Sequence, residues 1–364
     1  HFYWGPKVQS VDEIPFLNIF SGASFTGPKG VMPLEFNTAW GMSYVENCLK
    51  VEYSDGVRSL HFEYVDAEIV EDGGGPQKLI VHLKDQKYKL DIYLHYLVFE
   101  ETDVIGRYIE IESGEDQKVS VDHIFSALWN FPTYKTFDRL THLYGYHAHE
   151  FQVVRTPLTP GKKVLESRRG STGHYQNPFF MLDDGSAAED GGQVYFGGLA
   201  WSGSWKIVAE RTSHGFTRIL GGINNYDFQY PLEKNQKFIT PVFFGGFTER
   251  GFGQASRNLH EFQAKHVLPQ HTSNKVRKVI YNSWEVTTFG VNEKQQMELA
   301  EVAADLGVEI FVMDDGWFGE RNHDRAGLGD WTPNPEKFPN GLQPLIEKVI
   351  NLGMEFGLWF EPEM

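Results

Sequence analysis

The stretch EIFVMDDGWFGERNHDRAGLGDWTPNPEKFPNGLQPLIEKVINLGMEFGLWFEPEM, residues 309–364, decides the fold of this chain. The short apolar run Ile310–Met313 ends at two adjacent carboxylates, Asp314 and Asp315, and a second apolar run ends at Trp359. Parallel α/β enzymes carry their chemistry at the carboxyl ends of buried strands. Two neighbouring strand ends with acidic and aromatic residues therefore predict an enzyme of this class.

The elements around this stretch extend the pattern. KVIYNSW at 278–284 is typical of an apolar strand that ends in an aromatic residue, and residues 292–307 predict a helix with Asn292 as its N-cap and Gly307 as its C-terminal stop. A second helix is predicted at 342–353. The order β-α-β-α-β indicates the start of a parallel barrel or of a doubly wound sheet.

Two features of this region bear on function and on completeness. The loop Gly316–Gly341 is far longer than a usual loop between strand and helix, and long loops on this face commonly build binding sites. Three parallel strands cannot close a barrel, and the last one would leave an open edge. We therefore expect the sequence to be a truncated part of a longer protein.

The part of the chain before residue 253 has a different pattern of hydrophobic residues. Across residues 1–252, short runs of alternating polarity such as 61–70 and 88–99 are separated by turn residues, which predicts a large antiparallel β-sandwich. Residues 253–274 are predicted to form a helical linker that ends within the polar run QHTSNK at 270–275. The parallel unit then occupies 275–364.

Charge and cysteine content exclude several classes of function. The chain has 33 Lys and Arg against 49 Asp and Glu, a net charge of −16, with no basic run that would follow a phosphate backbone. We expect no nucleic-acid partner and no membrane partner. Cys48 is the only cysteine, which favours a cytoplasmic protein, although a secreted protein of this size would also fold without disulfides.

The deciding stretch contains four motifs, which are, in chain order, VMDDGWFG, GLGDW, KFPNGL and GLWFEPEM. In this order and spacing they resemble glycoside hydrolase family 36, the α-galactosidases with a large N-terminal β-domain and a (β/α)8 barrel. Upstream, SRRGSTGHYQNPFF at 167–180 and WSGSWKIVAE at 201–210 agree with the resemblance. The resemblance covers nearly the whole chain and implies an N-terminal β-sandwich followed by the first three βα elements of a TIM barrel.

The resemblance assigns roles to the strand ends. Asp314 and Asp315 are expected to bind hydroxyls of a galactose ring, which paired carboxylates hold through hydrogen bonds. By sequence alone, an Asp-Asp-Gly turn would more often be a solvated loop. Trp284 and Trp359 are expected to pack against the C–H face of the sugar, although most tryptophans at such positions serve only core packing.

Several neighbouring residues are expected to support this site. Glu361 and Glu363 invite assignment as an acid/base pair, but the resemblance implies aspartates on later strands, beyond Met364, as nucleophile and acid/base. This segment alone would then lack catalytic residues and be inactive. The expected supporting residues are Trp317, Trp331, Asp330, Glu361 and Glu363.

The sequence gives little support for a metal site or for a residue shared between subunits. His147 and His149 are predicted to lie on one face of a strand with Glu150 nearby, but the sequence identifies no third ligand, so no metal and no cofactor are expected. Near position 40, the family often contributes an acidic residue to the site of a neighbouring subunit. Ser43 stands at that position here, which leaves the cross-subunit contact open.

The activity implied by the resemblance is hydrolysis of terminal α-D-galactosyl residues in melibiose or raffinose-type oligosaccharides. It would proceed by double displacement with retention of configuration. Galactosyl transfer and α-N-acetylgalactosaminidase activity are alternatives with the same chemistry, and a non-catalytic carbohydrate-binding module is an alternative of another class. The resemblance also implies a homo-oligomer, either a dimer or a tetramer.

Overall fold

A computed structural model gives the structure of the chain. It describes residues 3–6, 8–10, 34–38, 45–71, 73, 75–131, 135–213, 215–273 and 275–362. Ser43 and Glu363, to which the sequence assigned roles, lie outside the described residues. The chain divides into two compact units, His1–Ser273 and Asn274–Met364.

The first unit is built mainly from sixteen strands among its described residues. The strands are β1 (Leu49–Glu52), β2 (Phe62–Val70), β3 (Gln77–Asp85), β4 (Leu90–Phe99), β5 (Val104–Ser113), β6 (Val119–Asn130), β7 (Arg139–Tyr146), β8 (His149–Pro157), β9 (Gly161–Ser167), β10 (Phe179–Asp183), β11 (Val194–Leu199), β12 (Trp205–Arg211), β13 (Thr217–Ile223), β14 (Tyr230–Leu232), β15 (Lys237–Ile239) and β16 (Phe243–Thr248).

These strands form two antiparallel sheets. The first sheet has six strands in the order β1-β6-β13-β12-β9, with β14 also paired to β6. The second has ten strands in the order β2-β3-β4-β5-β16-β11-β10-β7-β8, with β15 also paired to β5. One buried cluster joins Trp129 and Ile207 of the first sheet to Phe180 and Phe243 of the second. The two sheets therefore bury apolar faces in common, as alternating strands predict.

A helix closes the first unit. Helix α1 (Gly251–Phe262) continues through a π-helical turn to Val267, and its Leu259 and Phe262 share a buried cluster with Phe196 and Phe244 of the ten-stranded sheet. The segment predicted as a linker thus packs against the sheet over its first part.

The polar run at 270–275 is not a simple extended connection. Residues Gln270–Ser273 form a single helical turn, α2. The backbone N–H and the side-chain hydroxyl of Thr272 both donate to the carbonyl oxygen of Pro269, at 2.9 Å each. These two local hydrogen bonds close a turn that the polar composition did not predict.

The second unit contains a parallel sheet of three strands, β17 (Ile280–Asn282), β18 (Ile310–Met313) and β19 (Glu355–Leu358), with β18 in the middle. Its helices are α3 (Trp284–Thr287), α4 (Glu293–Asp305) and α5 (Gln343–Asn351). None of the helices in the described part of the chain has both the length and the hydrophobicity of a membrane span.

The ends of α4 and α5 follow the sequence-based prediction. Asn292 caps α4, its side-chain oxygen accepting the N–H of Gln295 at 3.0 Å. Gly307 and Gly353 follow the two helices with φ of +82° and +87°, a conformation that glycine adopts without steric cost.

Candidate functional site

The three parallel strands end at a common edge, which places their next residues side by side. The N–H of Ser283 donates to the carbonyl of Val312 at 3.1 Å, and the N–H of Trp359 donates to the carbonyl of Met313 at 3.0 Å. Ser283, Asp314 and Trp359 therefore follow three neighbouring strands at one end of the sheet, where α/β folds bind ligands. We call this end the carboxyl edge.

Asp314 is half-buried and lies at the centre of the carboxyl edge. Its carboxylate accepts the side-chain N–H of Asn282 at 2.6 Å and the backbone N–H of Asp315 at 2.7 Å. Its own backbone N–H donates to the Ser283 hydroxyl at 3.0 Å. These contacts fix the rotamer of the carboxylate and leave it partly open to solvent.

Asn282 connects Asp314 to a predicted aromatic residue. Its Nδ2 binds Asp314, and its Oδ1 accepts the backbone N–H of Trp284 at 2.8 Å. Asn282 was not predicted as a site residue, although the carboxyl end of a parallel strand is a place where a polar side chain is informative. Trp284 begins α3 and contacts Phe289 edge-on, with ring centroids 5.1 Å apart.

Asp315 has a different environment from Asp314, since only 5% of it is exposed. Arg321 donates to both of its carboxylate oxygens, with Nε–O distances of 2.9 and 3.1 Å and an Nη2–Oδ2 distance of 2.8 Å. The N–H of Gly316 donates to the same carboxylate at 2.7 Å. The sequence-based hypothesis that both aspartates face one pocket did not include this guanidinium.

Arg321 makes further contacts in addition to its hydrogen bonds with Asp315. Its Nη1 donates to the carbonyl of Ala326 at 2.9 Å, and its guanidinium lies 5.2 Å from the ring centroid of Phe289. The hydrogen bonds to Asp315 raise the pKa of Arg321, and the negative charges of Asp315 and Glu361 act in the same direction. Glu361 thus contributes to the electrostatic field around this pair.

Lys337 organises the long loop that follows β18. Its ammonium donates to three carbonyl oxygens, those of Phe289 at 2.8 Å, Gly316 at 2.7 Å and Arg321 at 3.1 Å. Burial lowers the pKa of Lys337, while the charge of Asp315 opposes that shift. Lys337 opens the motif KFPNGL, but nothing in the sequence assigned it a partner.

The other three tryptophans predicted at the site, Trp317, Trp331 and Trp359, form one aromatic cluster. Trp317 is 2% exposed, and its indole N–H donates to the carbonyl of Trp359 at 3.0 Å. Trp331 lies 6.4 Å from both Trp317 and Trp359 between ring centroids, and 4.6 Å from Phe318. Trp359, Trp331 and Trp317 are therefore brought together, whereas the ring of Trp284 contacts Phe289.

Asp330 lies on the same loop and is exposed. Its backbone N–H donates to the carbonyl of Gly327 at 3.0 Å, and its carboxylate lies so close to Gly319 that a Cβ there would meet Oδ2 at 2.8 Å. Asp330 thus packs against the loop backbone, next to the residues that precede Trp331.

The histidines at the end of β7 do not have the predicted arrangement. His147 lies in the turn after β7, and His149 begins β8, so the two do not share a face of one strand. The prediction is wrong because Gly145, at the bulge between the strands, lets the chain reverse at 147–148: a Cβ on it would meet the His149 carbonyl at 2.4 Å.

Comparison with known proteins identifies the family of this chain. The model of the glycosyl hydrolase family 36 N-terminal domain matches residues 1–233, and the melibiase model matches residues 237–364. The chain belongs to glycoside hydrolase family 36.

Family 36 relatives align along the full chain. The α-galactosidase Mel36A of Lactobacillus acidophilus is 33% identical over 388 residues, which cover 100% of this chain and 53% of Mel36A. The family 36 α-galactosidase AgaA of Geobacillus stearothermophilus superposes with a TM-score of 0.92 at 30% identity, covering 100% of this chain and 53% of AgaA. The chain thus spans about half the length of the relatives it matches.

One family 36 structure carries an oligosaccharide. A variant of AgaA in complex with raffinose superposes on this chain with a TM-score of 0.89 at 30% identity, again over 100% of this chain and 53% of AgaA.

Proposed function

We propose that this chain is part of an α-galactosidase that hydrolyses terminal α-D-galactosyl residues of raffinose- or melibiose-type oligosaccharides. The observation that carries the proposal is the carboxyl edge, where Asp314 and Trp359 follow adjacent parallel strands of a chain that belongs to family 36. The relatives named α-galactosidase and the raffinose complex of AgaA support the choice of substrate.

The site residues have separate proposed roles. Asp314 accepts a hydrogen bond from a hydroxyl of the galactose ring, because its carboxylate is oriented by Asn282 and is still half-exposed. Trp284 and Trp359 supply apolar faces for the C–H surface of the sugar. Asp315 binds a second hydroxyl with the oxygen lone pairs that its contacts with Arg321 leave available. Trp317 and Trp331 hold Trp359 in place.

The reaction is proposed to be retaining, with one aspartate as nucleophile and a second as acid/base, both outside the sequence described here. The proposed domain plan is a β-sandwich at 1–252, a helical linker at 253–274 and the start of a (β/α)8 barrel at 275–364. A cytoplasmic location and a homo-oligomer complete the proposal.

Substitution of each aspartate in the full-length enzyme tests the assignment. Asp314→Ala and Asp315→Ala each remove a charged hydroxyl acceptor worth about 2–3 kcal/mol, so kcat/KM for an aryl α-galactoside should fall roughly 30- to 150-fold. Asp305→Ala, an exposed carboxylate at the end of α4, is the matched control and should retain wild-type kcat/KM.

The same assay separates the proposal from its rivals. Wild-type kcat/KM in both aspartate variants would contradict a sugar-binding carboxyl edge. A higher rate with an aryl α-N-acetylgalactosaminide, or disaccharide formation in place of free galactose, would favour the two related activities. Binding without turnover by the full-length protein would favour a carbohydrate-binding module.

A further inference from the structure

Two loops of the first unit meet beside the turn between β7 and β8. Tyr144 forms an antiparallel bridge with Gln176, and the N–H of Gly145 donates to the carbonyl of Tyr175 at 3.4 Å. The Gln176 side chain in turn accepts the N–H of Glu166 at 2.6 Å. Backbone pairing therefore holds the loop 168–178 against the turn at a defined register.

This pairing brings together three side chains of the types that commonly coordinate metals. One donor atom each from His147, Glu150 and His174 lies within 4.8 Å of the other two. The distance between His174 Nδ1 and Glu150 Oε1 is 3.8 Å, and the two imidazole centroids are 6.2 Å apart. His174 is the third ligand that the sequence did not identify, since it is 24 residues beyond Glu150 and follows a different strand.

The distances are close to those of a coordinated ion. Ligand atoms about 2.0–2.2 Å from Zn²⁺ in a tetrahedral site lie about 3.3–3.6 Å from one another. His147 and His174 are both exposed, so their imidazole rings have room to rotate toward a bound ion.

The turn itself orients one of the three side chains. The backbone N–H of Ala148 donates to Oε1 of Glu150 at 2.9 Å. The carboxylate is therefore held beside His174 by the turn between β7 and β8.

The hollow next to the cluster limits which cations fit. It has a volume of about 350 Å³ and is lined by Arg169, Ser171 and Asn177 as well as by Glu150 and His174. Arg169 places a positive charge beside the hollow, so a cation there would have to be held by direct coordination. Two imidazoles and one carboxylate favour a transition metal over Mg²⁺ or Ca²⁺.

We propose that His147, Glu150 and His174 bind one divalent transition-metal ion, Zn²⁺ being the best match, with water in the remaining position. The ion would tie the β7–β8 turn to the loop 168–178. The proposal concerns only the first unit and does not depend on the proposed galactosidase activity.

Zinc binding by the full-length protein tests the site. After removal of metals with a chelator, equilibrium dialysis against ZnCl₂ should show one Zn²⁺ per chain that is lost from the variants His147→Ala, Glu150→Gln and His174→Ala. Each variant should weaken binding at this site at least about tenfold. Glu150→Gln keeps an oxygen acceptor for the Ala148 N–H, so it removes the charge with little disturbance of the turn.

His149→Ala provides the matched control, because His149 lies on the same turn but outside the three-residue cluster. It should bind Zn²⁺ like the wild type. Co²⁺ gives a second readout, since its visible absorption on binding reports coordination by these ligands. The proposal is overturned if the wild type binds no stoichiometric Zn²⁺, or if His149→Ala weakens binding as much as His147→Ala does.

Discussion

At the scale of single residues, the ion pair of Asp315 and Arg321 stands out because both members are enclosed. Side-chain exposure is 7% for Asp315 and 5% for Arg321, and the guanidinium reaches both carboxylate oxygens. A buried pair of this kind gains little net stability over apolar residues, yet the loss of one partner strands an uncompensated charge. The pair therefore fixes the loop after β18 in one arrangement, in addition to the sugar contact proposed for Asp315.

Removal of Arg321 should be costly for this reason. Arg321→Met leaves the Asp315 carboxylate buried without its cation, and the free energy of unfolding should fall by about 3–5 kcal/mol. Urea unfolding of the full-length protein, followed by tryptophan fluorescence, measures the change. Arg325→Met is the control, because Arg325 is exposed on the same loop. Equal midpoints for the two variants would contradict a structural role for the pair.

At the scale of elements, the turn after β18 depends on one glycine. Gly316 has φ of +98°, and a Cβ there would lie 2.8 Å from Cα of Phe289. The turn that presents Asp314 and Asp315 is thus pressed against the backbone that follows α3. Lys337 binds carbonyls on both sides of this contact, those of Phe289 and Gly316.

Gly316→Ala should disrupt this turn more than an ordinary glycine substitution would. The comparison is Gly341→Ala, where φ is +70° but a Cβ would meet nothing within 4 Å, so the cost is only the left-handed backbone, about 1–2 kcal/mol. Gly316→Ala adds a backbone clash and should lower both the thermal midpoint and kcat/KM further. Indistinguishable thermal midpoints for the two variants would show that the turn relaxes freely.

The elements were largely predictable from sequence, and the contacts within the site were not. Asn292 as N-cap and the two terminating glycines follow from local backbone chemistry, which the sequence displays directly. The pairing of Arg321 with Asp315 depends on how the loop folds back, and no periodicity encodes it. The His147–His149 prediction failed for a similar reason, since the chain reverses at 147–148 and the two histidines do not lie on one strand.

At the scale of the whole molecule, several histidines are buried as neutral groups in the antiparallel sheets. Burial lowers the pKa of His123 to about 4 and that of His95 to about 4. In the unfolded chain a histidine titrates near 6.5. Between these two values the unfolded state binds more protons than the folded state, so the free energy of unfolding falls as the pH falls.

His123→Gln should make the stability less sensitive to acid. His123 is 3% exposed and its Nε2 binds the carbonyl of Asn47 at 2.8 Å, a hydrogen bond that a glutamine amide can also donate. Above pH 6.5 the wild type should have its full stability, and by pH 4 it should lose about 3 kcal/mol through this group alone.

Thermal unfolding of the full-length protein from pH 7.5 to 4.5 measures this difference. The decline in midpoint should be shallower for His123→Gln than for the wild type. His271→Gln, at an exposed position, is the control and should follow the wild-type curve. Parallel curves for all three proteins would show that His123 does not titrate as its burial requires.

The three hydrogen bonds from Lys337 to backbone carbonyl oxygens also determine where this chain tolerates a change in length. Its contacts reach Arg321, whose own side chain is tied to Asp315 and Ala326, while the side chains of residues 322–325 between them are exposed. Extra residues inserted there would extend the tip of the loop and leave its anchored base in register. That tip is consequently a suitable insertion site for a short peptide, such as an affinity tag, that leaves Asp314 and Asp315 undisturbed.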